Sequence, residues 1–202
     1  MFKKFDSGED VIGSQQLKGS VQKSIRAKLI EQFPLIEEFI EQILPKKENF
    51  KLLKCKDHLE LIADVNGEIQ FVKSKKPKIG NSLPTMLYTM HRDLPQYFPT
   101  LKLLHKYPFL LKHQKVDKGA IRFVLNGSNI MCPGLTSPGA QLNDLCKEGE
   151  LVAIMGEGKE NAMAIGQMKI SPSTIREKNT GIAIDNVHYL NDGLWRIGRT
   201  IN

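Results

Sequence analysis

Apolar and polar positions alternate in two registers along this chain, and the register changes near the middle. Val21, Ile25, Leu29, Ile30 and Phe33 recur at helical spacing, with Lys23, Arg26 and Lys28 off the stripe. Ser20 is the residue type that caps such a helix, and Pro34 marks its boundary. Leu35, Ile36, Phe39, Ile40, Ile43 and Leu44 predict a second helical stretch ending at Pro45. The pattern then becomes strand-like over Lys51 to Cys55, Leu59 to Ala63 and Ile69 to Val72. Lys56 to His58 is the first turn, and Asn66-Gly67 is a tight-hairpin signal before the third strand. Thr100 to Tyr107 predicts a short helix with Leu101 and Leu104 inward, and His105 reads as structural. The first half is therefore α+β, its apolar stripes packed on a sheet.

The second half opens with a strand over Gln114 to Val116 and a helix from about Gly119 to Asn126. Asp117 is its cap and Gly127 its left-handed terminator. An extended piece, Asn129 to Met131, follows, and Pro133-Gly134 and Pro138-Gly139 read as turns. Strands are expected over Leu151 to Met155, Ala162 to Ile170 and Ile182 to Tyr189. A helix starting at Ser171-Pro172 stops by Gly181, and Asn191-Asp192-Gly193 turns the chain. Trp195 is expected to pack on this module, as Phe2 and Phe5 of the N-terminal arm pack while Lys3 and Lys4 stay in water.

Composition narrows the class. A chain of 202 residues makes one large domain or two small ones. No apolar run reaches the roughly 18–20 residues of a membrane span, and no signal-peptide segment follows the first lysines. Three separated cysteines, Cys55, Cys132 and Cys146, suggest reduced thiols and a cytoplasmic setting. With no Cys-x-x-Cys pair and five scattered histidines, neither a metal site nor a cofactor is expected.

Net charge is +7, with 18 basic against 13 acidic residues in 1–110 and 11 against 9 in 111–202. The N-terminal half suits contact with a large polyanion, or simply a solvated surface. The other half is only mildly basic, so nucleic-acid recognition there would need a shaped backbone site.

The helix start at Asp117 to Ala120 offers backbone amides and room beside Gly119, and Cys132-Pro133-Gly134 brings more backbone to the same edge. Cys132 reads as a packed or positioning residue, with no base assigned to it. Phe123 falls off the Ile121–Val124–Leu125 stripe, so it is either packed by the other domain or exposed as an anchor for a partner.

Val116-Asp117-Lys118-Gly119-Ala120 followed by Asn129-Ile130-Met131-Cys132-Pro133-Gly134-Leu135 resembles the signature of the PUA domain, an RNA-binding module. Met1-Phe2-Lys3-Lys4-Phe5, Leu29-Ile30-Glu31-Gln32-Phe33-Pro34, Leu103-Leu104-His105-Lys106-Tyr107-Pro108 and His188-Tyr189-Leu190-Asn191-Asp192-Gly193-Leu194-Trp195 are similar to the malignant T-cell-amplified-sequence translation factors. The resemblance implies an N-terminal α+β pre-PUA domain over 1–110 and a β-barrel-like PUA domain over 111–202. It departs from the family at about 73–96, an extra basic segment.

It further implies a non-catalytic translation factor that binds the small ribosomal subunit and the CCA end of tRNA. The implied roles are tRNA release, ribosome recycling, reinitiation and non-standard initiation, with density-regulated protein as partner. Carried over residue by residue, the RNA site is Lys118, Gly119, Ala120, Ser128, Asn129, Met131, Cys132, Pro133 and Gly134, with Phe123 a candidate for partner binding. The alternative is an RNA-modification enzyme with a PUA domain, or its accessory subunit, although residues 1–110 are small for a catalytic domain.

Overall fold

The computed structural model describes residues 2–56, 59–74 and 97–197. Contacts group the chain into two units, Asp6–Leu103 with the residues from Ile197 on, and Met1–Phe5 with Leu104–Arg196. This grouping divides the chain at Leu103/Leu104 and places the first five residues with the later unit.

The first unit starts with α1 (Ser7–Asp10), capped by the Asp6 carboxylate, which accepts from Gly8 N at 2.7 Å. Five strands follow the order β1-β2-β3-β4-β5: Val11–Gln16, Lys51–Cys55, Leu59–Ala63, Ile69–Ser74 and Tyr97–Pro99. All neighbours are antiparallel. The β3–β4 hairpin forms at Asn66-Gly67, where Gly67 has φ +77°. Asp64 Oδ1 accepts from Asn66 N and Glu68 N and so holds that turn.

Helix α2 spans Gly19–Gln32, and its buried face is Gln22, Ile25, Arg26 and Leu29. This corrects the predicted stripe, because Val21 is exposed and Arg26 is inside. The reason is polar. Gln22 Nε2 donates to Leu17 O and Asn49 Oδ1, while Arg26 Nε donates to Leu44 O at 2.8 Å and stacks over Phe50. Long side chains that find buried acceptors outcompete Val21 for the inner face. Ser20 is not the cap; Lys18 holds that position without a side-chain bond.

The second predicted helix is broken into a 3-10 turn, Pro34–Ile36, and α3, Ile40–Ile43. Its spacing survives in part, with Ile36, Ile40, Ile43 and Leu44 buried but Leu35 exposed. At the end of the sheet, Thr100 Oγ1 accepts from Leu103 N and donates to Ile69 O, capping α4 (Leu101–Lys106).

The basic segment expected at 73–96 lies outside the described residues beyond Ser74. Its flanks are informative, because Lys73 and Tyr97 are paired neighbours on β4 and β5. Chain ends that already meet need only a two-residue turn to join them. Replacing 75–95 by Asn-Gly should therefore keep the circular dichroism spectrum and change stability by no more than about 2 kcal/mol. An unfolded product would make the segment part of the core.

In the second unit a 3-10 turn, Pro108–Leu110, leads to β6 (Lys112–Val116), α5 (Ile121–Leu125), β7 (Ile130–Met131) and α6 (Pro133–Thr136). Then come β8 (Leu151–Gly156), β9 (Ala164–Met168), α7 (Pro172–Lys178), β10 (Ile182–Tyr189) and α8 (Gly193–Arg196). The sheet order is β6-β8-β9-β10-β7, parallel only at β6–β8, and it curls into a half-barrel. Gly166 lies at a close approach of β9 to β10, since a Cβ there would lie 2.4 Å from Ile184 Cγ2. The core includes Val116, Val124, Leu135, Ile154, Ile175 and Ile184.

Ser171 caps α7 through Thr174 N, and Asn179 ends it in the left-handed conformation. His105 is structural as expected, its Nε2 donating to Ala162 O at 2.8 Å beside Trp195. The arm packs as expected too: Phe2 is buried against His188, Gly193 N donates to Phe2 O, and Lys3 and Lys4 are exposed.

Candidate nucleic-acid interface

Asp117 builds the site. Its Oδ1 and its backbone oxygen both accept from Ala120 N, so Asp117 to Ala120 closes as a turn before α5. The helix therefore starts at Ile121, two residues later than expected. Asp117 N donates to Gly134 O at 3.1 Å, which joins this turn to the Pro133–Gly134 backbone. A Cβ at Gly134 would stand 3.3 Å from Ala120 Cβ, and one at Gly119 would stand 3.0 Å from Asp117 Oδ1. The two pieces face each other and present Lys118, Gly119 and Pro133 to solvent.

Two details differ from expectation. Pro133-Gly134 is the first turn of α6, with Pro at N1 and Cys132 before it, not a simple turn. The first amides are not all open to a ligand either. Lys118 N donates to Glu157 Oε2 at 2.9 Å, and Ala120 N is held by Asp117. The groups on offer are the exposed Gly119 backbone, the Lys118 side chain and the Pro133 surface. Glu157 was missed because it lies 39 residues from Lys118. Its one local signal is Gly139, which at φ +89° leaves the space its carboxylate fills.

Ser128 and Asn129 sit at the opposite end of α5. Asn129 Nδ2 donates to Asp185 Oδ1, and Asn129 Oδ1 accepts from Asn186 N at 2.9 Å. Asn186 Nδ2 donates in turn to Ser128 O and Val124 O. These contacts tie the loop after α5 to β10. Gly127 has φ +81°, and a Cβ there would press on the Tyr189 ring. Met131 is 48% exposed on edge strand β7.

Cys132 is fully buried, its Sγ donating to Thr180 O and its N to Gly181 O. That is the positioning role expected of it. Phe123 keeps half its surface exposed, with the Arg122 guanidinium 4.6 Å from its ring centroid.

The other thiols are equally withdrawn. Burial pushes Cys55 up to about 12, and burial also raises Cys146. Burial thus disfavours the thiolate, the reactive form, at both. Native protein should therefore show no rapid thiol labelling at Cys55, Cys132 or Cys146, whereas denatured protein should label at all three; a fast native site would contradict the burial. Among the described residues no group of His, Cys, Asp or Glu is arranged to hold a metal ion, and no helix is long and apolar enough to cross a membrane.

The half-barrel and its α5–α6 edge define a class. Residues 112–190 match the PUA domain and residues 5–95 the Pre-PUA-like domain. Among solved structures, a hypothetical protein from Pyrococcus horikoshii is similar at TM-score 0.63 and 26% identity, covering 91% of this chain and 98% of that one. A PUA domain protein from Thermoplasma acidophilum shares the fold at TM-score 0.58.

The chain belongs to the malignant T-cell-amplified sequence family. It is 50% identical to malignant T-cell-amplified sequence 1-B of Xenopus laevis over 197 residues, 98% of each protein. It is 49% identical to malignant T-cell-amplified sequence 2 of Homo sapiens over the same shares. Translation machinery-associated protein 20 of Schizosaccharomyces pombe is 40% identical, covering 97% of this chain and 98% of its own.

Proposed function

We propose that this chain is a cytoplasmic, non-catalytic translation factor that docks on the small ribosomal subunit and holds the CCA end of a tRNA. The observation that carries the reading is the junction of the Asp117–Ala120 turn with Pro133–Gly134 on one exposed edge of the PUA domain. Such an edge suits an unpaired RNA end, whose ribose and base edges are reached by backbone and small residues rather than by a broad basic surface. Lys118 supplies the phosphate contact, and Gly119, Ala120, Pro133 and Gly134 fix the terminal nucleotides. Ser128, Asn129 and Cys132 act by holding the loops in place, and Met131 flanks the edge. In this reading residues 1–110 form the pre-PUA domain and 111–202 the PUA domain.

The activities that follow are tRNA release, ribosome recycling, reinitiation and non-standard initiation, in company with density-regulated protein. The name of the Schizosaccharomyces relative, a translation machinery-associated protein, supports the setting. The buried Cys132 supports a non-catalytic role.

Affinity purification at low salt tests the proposal: small subunits and a zinc-binding partner should copurify, and RNA ending in CCA should bind better than the same RNA with its end paired. Absence of both would remove it. Phe123, half exposed beside Arg122, is assigned to the partner surface. Phe123→Asp should weaken partner capture at least about tenfold with an unchanged melting temperature. Global unfolding would instead make Phe123 a packing residue.

A further inference from the structure

A second concavity adjoins the proposed RNA edge. It is a cavity of about 330 Å³ lined by Leu135, Thr136, Leu142, Arg176 and Asn179. That volume lies at the lower end of the roughly 300–1,000 Å³ usual for small-ligand sites, room for one nucleotide but not for a helix. Its walls are two leucines, a hydroxyl, an amide and a guanidinium, a mixture that matches a nucleobase with its flat apolar faces and polar rim.

We propose that this cavity seats one further unpaired nucleotide of the RNA whose terminus lies at Gly119 and Pro133–Gly134. The inference rests on the RNA-end reading above and extends it upstream along the strand. Three observations carry it. First, Thr136 stands three residues after Pro133 in one helix, so the two share a face and the cavity opens beside the Pro133 end of the proposed RNA edge.

Second, Asn179 ends α7 at φ 44°, a position where glycine would serve the backbone at least as well. The asparagine adds an amide at the cavity wall. Its Oδ1 accepts from Thr136 Oγ1 at 2.5 Å, and among the described residues its Nδ2 meets no acceptor, which leaves a donor for a base edge. Third, Arg176 is paired with Asp144 in an exposed setting, Nη2 to Oδ2 at 3.0 Å. The pair is two-pronged, Nη1 also donating to Oδ1, and it holds the guanidinium at the cavity wall, where a phosphate competes with Asp144 for the same donors.

The test uses the full chain and two single-stranded RNAs with the same 3′ end, two and six nucleotides long, titrated by NMR so that millimolar binding is still measured. The parent should bind the longer RNA more tightly. Asn179→Gly keeps the left-handed cap and removes the amide; it should weaken the six-nucleotide RNA about three- to tenfold and leave the dinucleotide unchanged. Thr136→Glu, which places a carboxylate at the cavity wall, should weaken the longer RNA further. Unchanged affinity of the longer RNA in both variants, or equal losses for both RNAs, overturns the inference. If Gly119→Glu removes all binding while both cavity variants bind like the parent, the cavity assignment alone falls. If the parent binds neither RNA, the RNA-end reading falls with it.

Discussion

Gly119→Glu should weaken binding of a CCA-ended RNA about a hundredfold without unfolding the protein. The residue is exposed and its φ lies outside the left-handed region, so the backbone accepts a side chain. A Cβ there would stand 3.0 Å from Asp117 Oδ1, a contact relieved by a shift of a few tenths of an ångström. The glutamate would then fill the space between the Asp117–Ala120 turn and Pro133–Gly134, and its charge would oppose the RNA phosphates. Bulk and repulsion together are worth about 2–3 kcal/mol, and 1.4 kcal/mol is tenfold in affinity. Gly119→Ala, which adds bulk without charge, should cost only a few-fold. Equal affinity of parent and Gly119→Glu for the RNA would show that the end binds elsewhere.

The largest stability effect is expected at Asp192. Its side chain is fully buried and accepts from three groups of the same unit: His188 Nδ1 at 2.7 Å, Tyr189 N at 3.0 Å and Trp195 N at 2.9 Å. Through them the carboxylate joins the end of β10 to α8, whose first amide, Gly193 N, holds Phe2 O of the N-terminal arm. Asp192→Ala strands two buried donors and a partly buried one at once. The expected loss is about 3–5 kcal/mol, because an unpaired buried polar group carries its full desolvation cost. That corresponds to a melting temperature lower by about 6–20 °C. Asp192→Asn retains one acceptor oxygen and should lose less. A drop under about 1 kcal/mol for the alanine variant, read from denaturant midpoints, would mean that water replaces the carboxylate.

Much of this architecture was legible because its determinants are local. Asn66-Gly67, Ser171-Pro172 and the strand-forming stretch Ile182 to Tyr189 each act within a few residues, and each appears where the pattern placed it. The face of α2 was not legible. Gln22 and Arg26 turn inward only because Asn49 and Leu44, far along the chain, offer acceptors. The division of Leu35 to Leu44 into a 3-10 turn and a short helix also escaped the periodicity, because both forms place apolar residues three and four apart.

At the candidate site the same split appears. The left-handed Gly127 and the turn that Asp117 closes onto Ala120 follow from residue types that allow few backbone conformations, although the helix cap expected at Asp117 is Ala120 in the fold. Those features, and the resemblance that points to the malignant T-cell-amplified sequence family, belong to the amino-acid string alone. What folding in three dimensions decided is which groups remain free. Glu157 occupies the Lys118 amide, Asp185 and Asn186 take up Asn129, and Thr180 and Gly181 bury Cys132. Each of those partners lies dozens of residues away, and a hydrogen bond between distant residues leaves no periodic trace in the chain.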